Sequence, residues 1–396
     1  MFLQHDSTPG FNVVRCVNGN ADADIGARHF VRLIVDQGCS VAILDMYPGP
    51  PGVHEPTFSQ WRVADPGSLP FPVNLFFVSI SDLPYLLLHP PTPLFRRDRL
   101  NVAFVWWDLP ALPEPCIEAL DRFDAVIAGS LFVYSVLANH LSNVDVLYAP
   151  QPLYAEADTA PDRRRFDLPD DHVAFFLSCD ADSDPQRANP LAVIDAFLRA
   201  FPGADPGLLV IQLSTAQTDG AVRPSAVMDS IRARCGQDRR IRIIAERLTY
   251  AQTAALCASC DCYVSLHRSD GSALGPMEAM TRGKPVVATG WSGNLTFMNH
   301  ANACLVDYRL VPLSNAQALH AARYRPRSAR WAEPDVDHAA SWMRYLAAHP
   351  HARAEIGHRA RTDMSAFQRN AERATFVEEL AALARSHRLR RSIEPQ

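Results

Sequence analysis

Short runs of apolar, often β-branched residues alternate along this chain with stretches of helical periodicity, the pattern of parallel strands covered on both faces by helices. Asn12–Val17, Val41–Leu44, Val73–Val78, Asn101–Val105, Ala125–Ala128 and Val144–Leu147 form one set of such runs. His172–Leu177, Gly207–Gln212, Ile241–Ile244, Cys262–Leu266 and Pro285–Ala288 form a second. Alternation of this kind predicts doubly wound α/β domains, one per set. The stretch 149–165 between them is rich in proline and charge, which suits a connection better than a core element. The expected organisation is a Rossmann-like domain over 1–155, a linker over 156–170, a second Rossmann-like domain over 171–350, and helices with a basic tail over 351–396. In the last segment Phe367, Ala371, Ala374, Val377, Leu380, Leu383 and Ala384 share one face, which predicts a single amphipathic helix from Phe367 to Arg391.

Length and composition agree with two globular domains. At 396 residues the chain exceeds what one hydrophobic core usually organises, and its 48% hydrophobic and 20% charged residues are ordinary for a globular protein. A net charge of -5, with no basic patch outside the C-terminus, argues against nucleic acid as a partner. The N-terminus has neither a basic n-region nor an apolar h-region, and no apolar run approaches the ~20 residues of a membrane span. A cytoplasmic protein is expected. Arg385–Arg391 is a basic run that could touch anionic lipid headgroups, giving a peripheral membrane contact, or simply end a solvated helix with favourable charge.

Nine cysteines without a regular framework suit free thiols in a reducing compartment. Cys257, Cys260 and Cys262, with His267 nearby, are metal-ligating residue types, but no second ligand pair of suitable spacing accompanies them. Ala254, Leu256 and Cys257 read instead as the inner face of a helix ending near Cys260, and no metal is assigned.

The segment Ser265–Gly290 carries the most chemistry. Cys262–Leu266 predicts a buried strand, Gly271–Gly275 a small-residue loop, and Pro276–Arg282 a helix stopped by Gly283 before the next strand. Such a corner aims free N–H groups and the positive end of the helix dipole at an anion, phosphate above all. Asp270 precedes the loop and Glu278 is expected in the first helical turn, so both carboxylates would face one ligand. Sugar and ribose hydroxyls are natural partners for carboxylates.

This segment resembles the donor-binding motif of the retaining glycosyltransferases of family four, which have the two-domain GT-B fold and carry an acidic residue, seven others and then glutamate. The resemblance continues through Trp291–Met298, Leu305–Pro312 and Trp331–Ala339, which look like a bacterial polysaccharide-biosynthesis branch, and is looser at Ser183–Pro190, Val105–Pro110 and Gly10–Val14. It implies a GT-B α/β fold: two Rossmann-like doubly wound domains facing a central cleft, acceptor domain first and donor domain second, with a C-terminal helix crossing back to the first. It also implies a retaining, metal-independent hexosyltransferase with no cofactor, using a GDP- or UDP-hexose and a glycan or lipid-linked oligosaccharide acceptor. In the same-face mechanism of that family the leaving diphosphate takes the acceptor's proton and no protein nucleophile is needed.

Carried onto this sequence, the resemblance assigns donor and catalytic roles to Asp270, Glu278 and Arg187, the last for the diphosphate. Arg268, Gly271, Ser272, Ala273 and Leu274 join them as donor-binding residues. Gly19, Asp108 and Trp107 are acceptor-side candidates. Asp108 reads equally well as a helix N-cap, and Trp106 and Trp107 as core residues. The chain departs from the family pattern in four places. Asp270 stands where glutamate is usual, Ala188 where a phosphate-binding lysine is common, Gln151 where histidine is frequent, and Ser272, Ala273 and Gly275 where Phe, Gly and Pro are preferred. These departures keep open a non-catalytic GT-B binding or partner subunit, and, more remotely, a sugar-nucleotide epimerase.

Overall fold

A computed structural model describes residues 10–15, 22–45, 56–79, 83, 94–96, 98–154, 160–180, 184–203, 206–214, 226–246, 248–313, 329–373 and 375–393. They fall into two compact units: the described residues of Met1–Trp107, Ala111–Leu153 and Arg369–Gln396 in the first, and those of Asp108–Pro110 and Tyr154–Gln368 in the second.

The first unit runs β1 (Phe11–Val14), α1 (Asp22–Asp36), β2 (Val41–Leu44), β3 (Arg62–Val63), β4 (Val73–Ser79), β5 (Leu100–Trp106), α2 (Glu114–Leu120), β6 (Ala125–Ala128), α3 (Leu131–His140) and β7 (Asp145–Tyr148). Its seven strands pair in parallel in the order β3-β2-β1-β4-β5-β6-β7. Phe11, Phe30, Phe76, Phe77 and Phe104 fill the core. All six expected strands are present. β3 is too short to have left a pattern, and Cys16 and Val17, expected to continue β1, lie outside the described residues.

Three strands of this sheet share a buried asparagine ladder. Asn12, Asn74 and Asn101 stand in register on β1, β4 and β5. Asn12 Nδ2 donates to Asn74 Oδ1 at 2.8 Å, and Asn74 Nδ2 to Asn101 Oδ1 at 2.9 Å. Phe71, Leu94, Arg96 and Arg99 backbone groups take up the remaining donors and the last acceptor. Every amide is satisfied, so the network specifies strand register without an unpaired polar group. It lies at the N-terminal ends of its strands, away from the carboxyl ends where such sheets bind ligands.

The second unit runs β8 (Val173–Asp180), α4 (Pro185–Ala188), α5 (Pro190–Ala200), β9 (Gly207–Ser214), α6 (Ala226–Cys235), β10 (Ile241–Ile244), α7 (Tyr250–Ser259), β11 (Cys262–Ser265), α8 (Leu274–Thr281), β12 (Val286–Thr289), β13 (Cys304–Val306), β14 (Tyr308–Pro312), β15 (Arg330–Pro334), α9 (Val336–Ala348) and most of α10 (Pro350–Glu372). Six strands form a parallel sheet in the order β10-β9-β8-β11-β12-β13, the same winding as the first unit. β14 and β15 make a separate antiparallel hairpin that the hydrophobic pattern does not announce, because β14 is mostly exposed.

Two expected boundaries move. The described part of the 156–170 linker is fastened to the second unit: Asp162 N donates to Ser259 Oγ at 2.8 Å, and Arg163 reaches Asp261 Oδ2 at 3.0 Å and the His172 carbonyl at 2.8 Å. The division between units falls instead at Leu153 and Tyr154. The single helix expected from Phe367 is two helices, because α10 ends at Glu372 and α11 covers Phe376–Ile393. α11 packs on the first unit through Phe376, whose ring meets Phe30 edge-on at 5.8 Å, and His387, whose Nε2 lies 3.6 Å from Asp124. The crossing-back helix implied by the resemblance is therefore present.

Candidate functional site

Strand order in the second sheet reverses between β8 and β11, and the crevice beyond the carboxyl ends of strands at such a point is where open α/β sheets bind ligands. Two segments lie there, Asp184–Asn189 after β8 and Leu266–Ala273 after β11. Asp184 caps α4 by accepting from Gln186 N at 2.9 Å and Arg187 N at 3.3 Å. Asn189 adopts the left-handed conformation (φ 54°) and donates to the Leu266 carbonyl at 3.1 Å, while Arg268 N donates to the Arg187 carbonyl at 2.8 Å. The two segments are thereby held as one surface.

The loop closes on Asp270. Its Oδ1 accepts from Ser272 N at 3.2 Å and Ala273 N at 2.7 Å, and Ala273, at φ 53°, turns the chain into α8. The helix starts at Leu274, ahead of the expected Pro276, so Glu278 belongs to its second turn rather than its first. Its carboxylate lies 3.9 Å from Arg282 Nη1. The N–H groups of Leu274 and Gly275 open the helix and have no acceptor among the described residues. Gly275 has a packing reason to be small, since a Cβ there would fall 2.3 Å from the Tyr263 hydroxyl.

Charge gathers on the same loop. Arg187 Nη1 donates to the Ser269 carbonyl at 3.0 Å, and its Nε lies 3.3 Å from Asp108 Oδ2. The other Asp108 oxygen accepts from Gly271 N at 2.8 Å, and Ser269 Oγ donates to the Asp108 carbonyl. Burial pushes the Asp108 carboxyl above the ordinary carboxylate range, Arg187 pulls it back, and Asp270 adds to the rise. His267 is fully enclosed with neither ring nitrogen in regular hydrogen-bond geometry. Burial lowers its pKa to about 4, with Asp270 and the facing Asn294 pulling it up and Arg187 pushing it down, so the ring is neutral at pH 7.

Several residues singled out in the sequence take other positions. Arg268 is a strut: Nε and Nη2 grip Glu333 at 2.5 and 2.9 Å, Nη1 donates to the Gln186 carbonyl at 2.6 Å, and the guanidinium lies over the Trp331 ring at 5.2 Å. Gly271, Ser272 and Ala273 already give their N–H groups to Asp108 and Asp270, which leaves Leu274 and Gly275 as the helix-end donors. Asp108 joins the loop rather than capping α2, and Trp107 is buried with Nε1 donating to the Ala111 carbonyl at 3.1 Å. Ala188 packs against the core of the second unit. Gly19 lies outside the described residues. Gln151 is buried in the first unit, donating to the Gly26 and Pro152 carbonyls.

Cys257 belongs to α7 as expected, and burial raises its thiol to about 11, with Cys260 and Cys262 raised by the same cause. Among the described residues no three His, Cys, Asp or Glu side chains are grouped to hold a metal ion. Asp184 was missed in the sequence, although aspartate directly before proline is an N-cap signal. Asn189 and Ser292 left no signal beyond their neighbourhood, and His267 was read only as a neighbour of the cysteines.

Two parallel-sheet Rossmann-like units with a returning C-terminal helix define the GT-B architecture, and solved structures of that architecture match over nearly the whole chain. No protein-family model matches, and no curated protein matches by sequence. Anabaena Alr3699/HepE, solved with UDP and glucose, is similar with a TM-score of 0.66 at 13% identity, over 94% of this chain and 100% of that one. The UDP-forming α,α-trehalose-phosphate synthase of Burkholderia vietnamiensis is similar with a TM-score of 0.64 at 12% identity, over 96% and 100%. Sucrose-phosphate synthase of Thermosynechococcus elongatus is similar with a TM-score of 0.63 at 14% identity, over 95% and 98%. At these identities the likeness establishes the fold.

Proposed function

We propose that this chain is a retaining hexosyltransferase that moves a sugar from a nucleotide donor to a glycan or lipid-linked oligosaccharide in polysaccharide biosynthesis. The observation that carries the reading is the convergence of the α8 N-terminus, Arg187 and Asp270 at the switch point of the second sheet. Helix-end N–H groups and a guanidinium are the donors a diphosphate needs, and they neutralise leaving-group charge without a metal. That Gly271 N and Arg187 already hold a carboxylate, that of Asp108, supports an anion-binding role for this spot. Asp270 Oδ2 accepts no hydrogen bond from the described residues and is assigned to the transferred sugar, Glu278 to the nucleotide ribose.

In the mechanism that follows, the acceptor oxygen attacks the face the diphosphate leaves, and a diphosphate oxygen takes the acceptor proton. Asp270 and Glu278 orient the donor and Arg187 stabilises charge developing on the leaving group. The reaction is assigned to the cytoplasm. The basic end of α11 is the candidate contact with a membrane carrying the acceptor; no described helix is long and apolar enough to cross one. Uridine and guanosine donors head the substrate list, the former also because the similar HepE was solved with UDP-glucose.

A second reading, a non-catalytic binding subunit, is favoured by Ala188 packing on the core where a phosphate-binding lysine is common in the resembled family. Calorimetric titration with UDP-, GDP-, ADP- and dTDP-hexoses separates the two. Saturable binding of one nucleotide class, lost in Glu278→Ala, with turnover lowered about 10²-fold in Arg187→Ala, supports the transferase. Product anomeric configuration by NMR, in the presence of EDTA, then tests retention and metal independence. Absence of binding across the panel favours the non-catalytic reading.

A further inference from the structure

Unusual backbone conformations in the second unit gather around one loop. Among the described residues four non-glycines have positive φ, and three of them, Asn189, Ala273 and Ser292, hydrogen-bond within or onto segment 266–273. Asn189 and Ala273 occupy the left-handed helical region, accessible to asparagine and open to alanine at modest cost. Ser292 is different. Its φ of 74° and ψ of -143° lie where glycine is found almost alone. A serine stays there only when its surroundings over-determine it.

Those surroundings are the main chain of Asp270. Ser292 Oγ accepts from Asp270 N at 2.9 Å and donates to the Asp270 carbonyl at 3.0 Å, and Gly293 N donates to the same carbonyl at 2.8 Å. A Cβ on Gly293 would fall 2.1 Å from the Gly271 carbonyl oxygen, so the two loops meet backbone to backbone. Asp270 is therefore gripped at its own N–H and C=O by segment 292–293, while its Oδ1 closes the loop onto Ser272 and Ala273. The Oδ1 bonds alone close the turn. The grip by Ser292 adds a fixed placement of the Asp270 main chain, and so of Oδ2 and of the helix start that follows.

We propose that Ser292 is a positioning residue for the nucleotide sugar, acting through Asp270, and that its strained backbone is kept because only there does the hydroxyl span both polar groups of the Asp270 main chain. This rests on the donor-site reading above. The two substitutions that test it separate hydroxyl from strain: Ser292→Gly removes both, and Ser292→Ala removes the hydroxyl and keeps the strain. Melting temperature and calorimetric affinity are measured for both against the same UDP-, GDP-, ADP- and dTDP-hexose panel.

The expected result is that Ser292→Gly melts above Ser292→Ala, while both bind the hexose that the wild type prefers about five-fold or more weakly than the wild type does. Affinity that follows melting temperature across the two variants overturns the proposal, since Ser292 would then be purely structural. Wild-type affinity in Ser292→Gly also overturns it while leaving the donor site intact. A wild type that binds no hexose of the panel overturns the donor-site reading and this inference together.

Discussion

Arg268 offers the sharpest test of what the structure changes, because the sequence places it among donor ligands and the structure makes it a strut. Its guanidinium makes two charge-assisted bonds to Glu333 and a third to the Gln186 carbonyl, and covers the Trp331 ring. The two side chains are 12% and 30% exposed, so solvent screens the pair only in part. A hydrogen bond to a charged group contributes about 1.5–3 kcal/mol and a cation over an aromatic face about 0.5–1 kcal/mol, before the Glu333 exposure is discounted. Arg268→Ala should therefore cost about 3 kcal/mol, at the lower end of what breaking a buried pair costs. Glu333→Ala should cost about 2 kcal/mol, since Arg268 keeps Gln186 and Trp331 as partners. The double variant should show a coupling of about 1–2 kcal/mol. Urea unfolding of the four proteins gives the cycle, and hexose titration of folded Arg268→Ala should give wild-type affinity within about two-fold. A wild-type urea midpoint combined with lost hexose binding would refute the reasoning and return Arg268 to the donor site.

Two further outcomes are expected. Burial lowers His29 to about 3 and His267 to about 4, from 6.5 in the unfolded chain. The unfolded state therefore binds more protons as pH falls from 6.5 towards 4, and stability, complete above 6.5, declines through that window by about 1.4 kcal/mol per unit for each histidine. Urea midpoints at pH 7, 6 and 5 should show this slope, shallower in His267→Gln; an equal slope in the variant would contradict it. Asn74→Leu breaks the middle of the asparagine ladder and leaves Asn12 Nδ2 and Asn101 Oδ1 short of a partner, at a cost of about 2–4 kcal/mol. Unfolding midpoints measure the loss, and hexose affinity of the folded protein should be unchanged because the ladder lies at the far ends of its strands.

How far the sequence reaches depends on whether a feature is written in local pattern or in contact between distant segments. The strands were legible because parallel strands covered on both faces are mostly apolar. The runs Val41–Leu44 and Ala125–Ala128 are wholly so, and Val73–Val78, Gly207–Gln212 and Ile241–Ile244 each carry a single polar residue, Asn74, Gln212 and Arg242. β14 was not, because an exposed strand has no such obligation. The break between α10 and α11 was not, because Ala371, Val377 and Leu380 stay buried on both sides of it and the apolar spacing runs on undisturbed. At the site, residue types were legible and their partners were not. Arg187 and Arg268 are one residue type in similar surroundings, yet Arg187 reaches the loop carbonyl and Asp108, whereas Arg268 is claimed by Glu333, a residue of the hairpin that the pattern does not reveal. Asp270 likewise reads as a free carboxylate until the fold commits one oxygen to Ser272 and Ala273. A motif states which groups are available to a ligand; the tertiary structure decides how each is engaged, and here it leaves Asp270 Oδ2 and the first N–H groups of α8 without a hydrogen bond among the described residues while it holds Arg187 against the same loop.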